Sequence, residues 1–131
     1  WGYGSKKIID ELYKIKPPFN VNKIAQLSAI ESLKDYKFLK KSVKHNLNWS
    51  VKIKKFLENK NIKTNKIAAN FFLLDFDSCK KSANYVAKKL ENKGIILRSM
   101  ESYKMKNKLR MTIGSVAQNK KFIKEIKNIL R

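Results

Sequence analysis

Leu109-Arg110-Met111-Thr112-Ile113-Gly114-Ser115-Val116-Ala117-Gln118 is the stretch on which the fold turns. Leu109 to Ile113 has the large apolar and β-branched content of a strand. Gly114 and Ser115 then turn the chain, and the Ser115–Gln118 spacing is that of a capping box, which opens a helix. That helix carries Phe122, Ile123, Ile126, Ile129 and Leu130 on one face. A strand that feeds directly into an amphipathic helix implies helices layered on a sheet.

Working outward, the same alternation of types continues. Ile95 to Arg98 reads as a second short strand, and polar Ser99 to Lys108 as the loop between the two. Gly94 sits where a left-handed residue ends the preceding helix. That helix is predicted from caps at Asp77 and Ser78 to about Asn92, with Cys79, Ala83, Val86, Ala87 and Leu90 inward. Ile67 to Phe76 (IAANFFLLDF) is rich in large apolar residues and reads as a buried strand. Tyr36 to about Asn59 has the spacing of a long helix. Asn22 can cap another through Leu33, and Ser5 one over Lys6 to Lys14 that Pro17 and Pro18 stop. Neither proline nor glycine interrupts Val21 to Lys93, so the second and third helices are expected to be nearly continuous. Residues 37–131 thus form an α+β layer, whereas residues 1–36 have helices with no sheet of their own to cover.

The 131 residues allow one real core, and 43% hydrophobic residues exclude a disordered polymer. No apolar run approaches a bilayer span, and no signal pattern opens the chain. A single cysteine, Cys79, cannot form an internal disulfide. A cytoplasmic protein is the expectation. The charge is strongly basic: 31 Lys and Arg against 10 Asp and Glu, net +21. That raises nucleic acid as a partner. However, 28 of the 31 are lysines spread over every helix. Nucleic-acid readers favour arginine, whose planar fork contacts phosphates and guanine edges bidentately. A solvated lysine surface is the better reading, and neither nucleic acid nor membrane is expected as a partner.

Against that background the two internal arginines stand out. Both follow a hydrophobic strand-like residue, in Ile95-Ile96-Leu97-Arg98 and in Leu109-Arg110-Met111, 12 residues apart. Where a point charge suffices, lysine would serve. A guanidinium suggests bidentate recognition of an oxyanion.

Three segments, in order, resemble histidinol-phosphate aminotransferases. Lys16-Pro17-Pro18-Phe19-Asn20-Val21 with Ala25-Gln26 is similar to the family's Pro-Pro-Phe-Asn-Val and following Ala-Gln. Ala69-Asn70-Phe71-Phe72-Leu73 resembles its Asn-Phe strand. Gly94 to Arg98, Tyr103 and Leu109 to Gly114 resemble its Gly-Val/Ile-Leu-Val-Arg…Tyr…Leu-Arg-Ile-Thr-Val/Ile-Gly block. The resemblance covers essentially the whole chain. It implies an α/β fragment of a pyridoxal-phosphate-dependent (fold type I) transferase. Residues 1–36 would be the trailing helices of the large domain, and residues 37–131 the connecting helix and small C-terminal α+β domain.

The resemblance further implies a homodimeric enzyme exchanging an amino group between L-glutamate and imidazole-acetol phosphate in histidine biosynthesis. Pyridoxal 5′-phosphate would be its cofactor. The family's imine-forming lysine lies upstream of Trp1, so no residue here is assigned as catalytic or cofactor-binding, and the chain alone is expected to be inactive. Arg110 resembles the family's substrate-anion anchor and Arg98 its second, phosphate-binding arginine. Asn70 and Tyr103 match the pattern but also have ordinary structural readings. His45 reads as a surface residue on a lysine-rich helix, Cys79 as a small apolar residue, and Asp75 with Asp77 as a solvated strand end rather than a metal site. Rival readings are an aromatic aminotransferase or a threonine-phosphate decarboxylase-like enzyme of the same fold. From other classes come a small basic nucleic-acid-binding module and a folding unit without activity.

Overall fold

Leu109 to Thr112 does form a strand. The computed structural model describes residues 3–131, and in it a four-stranded antiparallel sheet is built around β4 (Lys108–Thr112). The sheet order is β1 (Lys63–Thr64), β2 (Phe71–Asp75), β4, β3 (Arg98–Ser99). The central pair runs from Phe71 opposite Thr112 to Asp75 opposite Lys108. Phe72, Leu74, Leu109 and Met111 are buried. By the two-residue period of a strand they share one sheet face, leaving Phe71, Leu73, Arg110 and Thr112 on the other.

The buried face meets α4 (Ala83–Glu91) and α5 (Val116–Ile129), together with the end of the long helix α3 (Tyr36–Glu58). Ile53, Leu57, Val86, Leu90, Phe122 and Ile126 join the sheet residues in a single core cluster. The spacing of these residues along each helix is what the sequence pattern required. Ser115 completes its capping box with Gln118.

Contacts divide the chain into two units, Trp1–Leu39 and Lys40–Arg131, and the whole sheet and core lie in the second. The first holds α1 (Lys6–Ile15) and α2 (Lys23–Lys34). Asn22 caps α2 by accepting from the Ala25 N–H at 2.8 Å, whereas Ser5, although placed as an N-cap, makes no side-chain cap bond. Neither α1 nor α2 buries a residue; Ile8, Leu12, Ile24, Leu27 and Leu33 are all exposed.

Several element boundaries differ from the sequence expectation, each for a local reason. The second and third helices are separate, because Asp35 leaves helical geometry and its carboxylate accepts from the Phe38 N–H at 2.9 Å. The expected Ile67–Phe76 strand begins only at Phe71: its partner β4 ends at Thr112, and the ladder closes with Ile113 N–H donating to the Asn70 carbonyl. The helix expected from Asp77 starts at Ala83, capped by Ser82. The Asp77 carboxylate is instead engaged by Asn107 and Lys108, so it cannot cap. The Ile95–Arg98 strand shrinks to Arg98–Ser99. Ile95 N–H bonds the Leu90 carbonyl and Gly94 N–H that of Glu91, which closes α4 with Gly94 at φ +70°.

Candidate functional site

Arg98 and Arg110 are direct cross-strand partners between β3 and β4. Opposed residues in an antiparallel pair leave the same face of the sheet, here the face opposite the core. Like charges so placed repel one another. Among the described residues neither arginine forms an ion pair with a carboxylate. Each lies against an aromatic ring instead. The Arg98 guanidinium carbon is 5.5 Å from the Tyr103 ring centre, and its Nη2 donates to the Tyr103 hydroxyl at 3.1 Å. The Arg110 guanidinium carbon is 5.4 Å from the ring centre of Phe71.

Arg98 and Arg110 border a cleft of about 560 Å³ bounded by residues 94–98, the end of β4 and the first turns of α5, while their guanidinium groups lie against Tyr103 and Phe71, which do not line it. Lys121 and Thr112 also line it, and no acidic side chain does. Two guanidiniums on one sheet face without a carboxylate partner are suited to an oxyanion.

The turn that follows β4 is fixed by groups the sequence reading did not single out. Asn119 is buried, with 1% of its surface exposed. Its Oδ1 accepts from the Gly114 N–H and its Nδ2 donates to the Gly114 carbonyl, both at 2.9 Å. His45 was expected on the surface. It is half-buried on α3, and its Nε2 lies 2.8 Å from the same carbonyl. A carbonyl only accepts, so Nε2 carries the hydrogen. Sixty-nine residues separate His45 from Gly114, and no local pattern could have joined them. A Cβ on Gly114 would fall 2.6 Å from Gln118 Oε1 and 3.0 Å from its Cβ, so glycine is needed beside the capping box.

At the other end of β4, Lys108 Nζ bridges Asp75 at 2.6 Å and Asp77 at 3.0 Å. The hydrogen bond that Lys108 donates holds the Asp75 carboxyl below its ordinary 3.8, and the same bond, accepted by Asp75, raises Lys108 above 10.5. These aspartates form a structural ion cluster rather than a plain solvated edge. Among the described residues no group of three or more His, Cys, Asp or Glu gathers as a metal site. Cys79 is half-buried against the core, in a turn rather than at a helix start. Tyr103 joins Arg98, whereas Asn70 contributes its backbone carbonyl to the ladder end.

The antiparallel sheet backed by helices, with two arginines paired across β3 and β4, can be set against known proteins. A model of the aminotransferase class I and II family matches residues 1–126, and the chain belongs to that family. The histidinol-phosphate aminotransferase of Pelagibacter ubique (strain HTCC1062) is 55% identical over 130 residues, covering 98% of this chain and 36% of that protein. The enzyme of the same name from Campylobacter hominis is 37% identical over 99% of this chain and 35% of its own length. The chain thus spans about 36% of the length of such relatives.

Among solved structures, the histidinol-phosphate aminotransferase from Clostridium acetobutylicum superposes with a TM-score of 0.84 at 21% identity, over 95% of this chain and 38% of that one. A decarboxylase from Sulfurospirillum multivorans gives 0.75 at 22% identity, over 97% and 37%. At such identities the likeness speaks for the fold, which is that of part of a fold type I aminotransferase, as the sequence resemblance implied. No helix among the described residues is long and apolar enough to cross a membrane.

Proposed function

We propose that this chain is the C-terminal part of a histidinol-phosphate aminotransferase, and that Arg110 and Arg98 bind the anionic group of its substrates. The observation that carries the reading is the direct pairing of the two arginines on one sheet face, with no carboxylate ion-paired to either among the described residues. Sequence relatives named for this activity support it. The fold alone does not choose, since a decarboxylase has a similar one. Residues 1–36 are read as trailing helices of a larger domain, which accounts for their exposed apolar faces, and residues 37–131 as the small domain. The same reading entails a homodimeric cytoplasmic enzyme that depends on pyridoxal 5′-phosphate.

Among the described residues none is read as holding that cofactor. Lys108 has its amine paired with two aspartates, which favours the protonated form, the reverse of what imine formation requires. Pyridoxal phosphate, held elsewhere in the protein, would supply the electron sink for amino transfer. What this chain contributes is binding and orientation. L-Glutamate presents an α-carboxylate, and histidinol phosphate a phosphate. Arg110 can take either through two parallel N–H bonds, fixing the substrate so that its Cα–H bond faces the base. Arg98 adds a second positive charge, which favours a phosphate dianion over a carboxylate.

The test is kinetic, in the full-length enzyme. Arg110→Lys is expected to weaken both substrates by about 10- to 100-fold in kcat/KM, the loss of a bidentate charge-assisted contact. Arg98→Lys is expected to act mainly on the phosphorylated substrate. Equal losses for glutamate and histidinol phosphate in Arg98→Lys would refute the division of labour.

A further inference from the structure

Two arginines directly opposed across a strand pair repel one another, and an acidic neighbour would relieve that repulsion. Here each has an aromatic ring in that place. From this arrangement we infer that Phe71 and Tyr103 are positioning residues of the anion site, standing in for counter-ions. The inference rests on the reading of Arg98 and Arg110 as anion-binding residues.

The physical reason lies in what each kind of neighbour does to a guanidinium. A carboxylate occupies the N–H edge, the same edge that a substrate anion must reach, and it neutralises the charge. A ring face attracts the cation through its quadrupole without neutralising it, and for Arg110 it takes none of the N–H groups in the guanidinium plane. Phe71 is the diagonal neighbour of Arg110 in the β2–β4 register, since Phe71 opposes Thr112 and Leu73 opposes Arg110. Diagonal positions are within reach of an aromatic side chain. Phe71 has 39% of its surface exposed, although its sequence neighbour Phe72 is fully buried in the core. Its ring is thus kept on the open face, where it contributes little to the core and lies against Arg110. Leu73, half-buried, lies directly across from Arg110 and offers it no hydrogen bond.

Tyr103 does the equivalent work for Arg98 with one addition. Its hydroxyl oxygen accepts from Arg98 Nη2, so the phenolic hydrogen remains available to a further acceptor. A phosphate oxygen bound by Arg98 can receive it. Tyr103 is brought to this position by the short 3-10 turn Glu101–Tyr103, directly after β3. Phe71 therefore serves the anchor used by every anion, and Tyr103 the arginine that prefers phosphate.

The chain has only three arginines, and Arg131 lies outside the cleft, which makes the test direct. The probe is inorganic phosphate, titrated into the 131-residue chain while the arginine Nε–Hε resonances are followed by NMR. The Arg98 and Arg110 resonances are expected to shift saturably, with Arg131 as internal reference. Phe71→Leu is expected to remove the ring-current displacement of the Arg110 signal and weaken phosphate about 3- to 10-fold. Phe71→Tyr, which keeps a ring, should leave both as in the native chain. Tyr103→Phe keeps the ring and is expected to weaken phosphate about 3-fold through the hydroxyl alone. A native far-UV spectrum with unchanged phosphate affinity in Phe71→Leu would overturn the inference. If Phe71→Leu fails to fold, the arginine shift in Phe71→Tyr decides instead: a lost ring-current displacement there overturns it. Unchanged phosphate affinity in Arg110→Gln would overturn the underlying reading of the site, and is thereby told apart from failure of the aromatic contribution.

Discussion

Replacement of Asn119 by alanine tests whether the Gly114 turn is held as tightly as its geometry implies. Asn119 makes two 2.9 Å hydrogen bonds to one glycine, accepting from its N–H and donating to its carbonyl. Each bond contributes about 1 kcal/mol net, and leaving the half-buried Gly114 N–H without a partner costs about 1–3 kcal/mol. The carbonyl is less affected, because His45 Nε2 still reaches it at 2.8 Å. The expected loss is about 2–4 kcal/mol. With a urea slope of about 2 kcal/mol per molar, the unfolding midpoint followed by far-UV circular dichroism should fall by about 1–2 M. Asn119 and His45 donate to the same acceptor, so the pair should be coupled. Asn119→Ala combined with His45→Phe strands the carbonyl outright and should cost about 0.5–1 kcal/mol more than the two single changes together. A loss under about 0.5 kcal/mol for Asn119→Ala, or strict additivity in the double variant, would refute this account of the turn.

Lys108→Met should destabilise by about 1–2 kcal/mol near neutral pH, since it leaves the partly buried Asp75 without its cation. The Asp75 carboxyl is lowered from 3.8, so its contribution is present above that value and is lost as pH falls through the lower folded-state value. Lys108 is raised from 10.5, so its contribution is complete below 10.5 and is lost as pH rises through the higher folded-state value. The gap in unfolding free energy between the native chain and Lys108→Met should therefore be widest between about pH 4 and 10.5, and a gap that stays constant outside that window would count against the cluster. Gly114→Ala forces its new methyl against Gln118 and should cost about 1–2 kcal/mol in thermal unfolding. Gln118→Ala in the same chain should recover part of that loss. His45 should show its ring hydrogen on Nε2 by ¹⁵N NMR, and a neutral ring protonated only at Nδ1 would contradict the bond to Gly114.

Much of this molecule is legible along the chain because its signals are local. The strand at Leu109, the capping box of Ser115 and Gln118, and the stop at Gly94 each depend on residues within a few positions of one another. The two arginines were visible as exceptions on a lysine background, and the ordered motifs around them pointed to the family that the comparisons bear out. Strand limits were less legible. Where β2 begins is set by where its partner β4 turns away, and β3 is short because Ile95 is already bonded to α4. Asp77 looked like a helix cap until Lys108 and Asn107, some 30 residues on, took its carboxylate.

What the sequence by itself determined is the set of elements, their order and the arginines that mark the site. Helix periods, caps and glycine stops act over one or two turns of chain, so they can be read without knowing the fold. Only the tertiary structure decided that Arg98 opposes Arg110, that aromatic rings rather than carboxylates lie against them, and that His45 meets Gly114. Each of those depends on strand register or on helix placement across the core. Register fixes which side chains share a face, and a slip of one residue would send Arg110 into the core and Met111 to the surface.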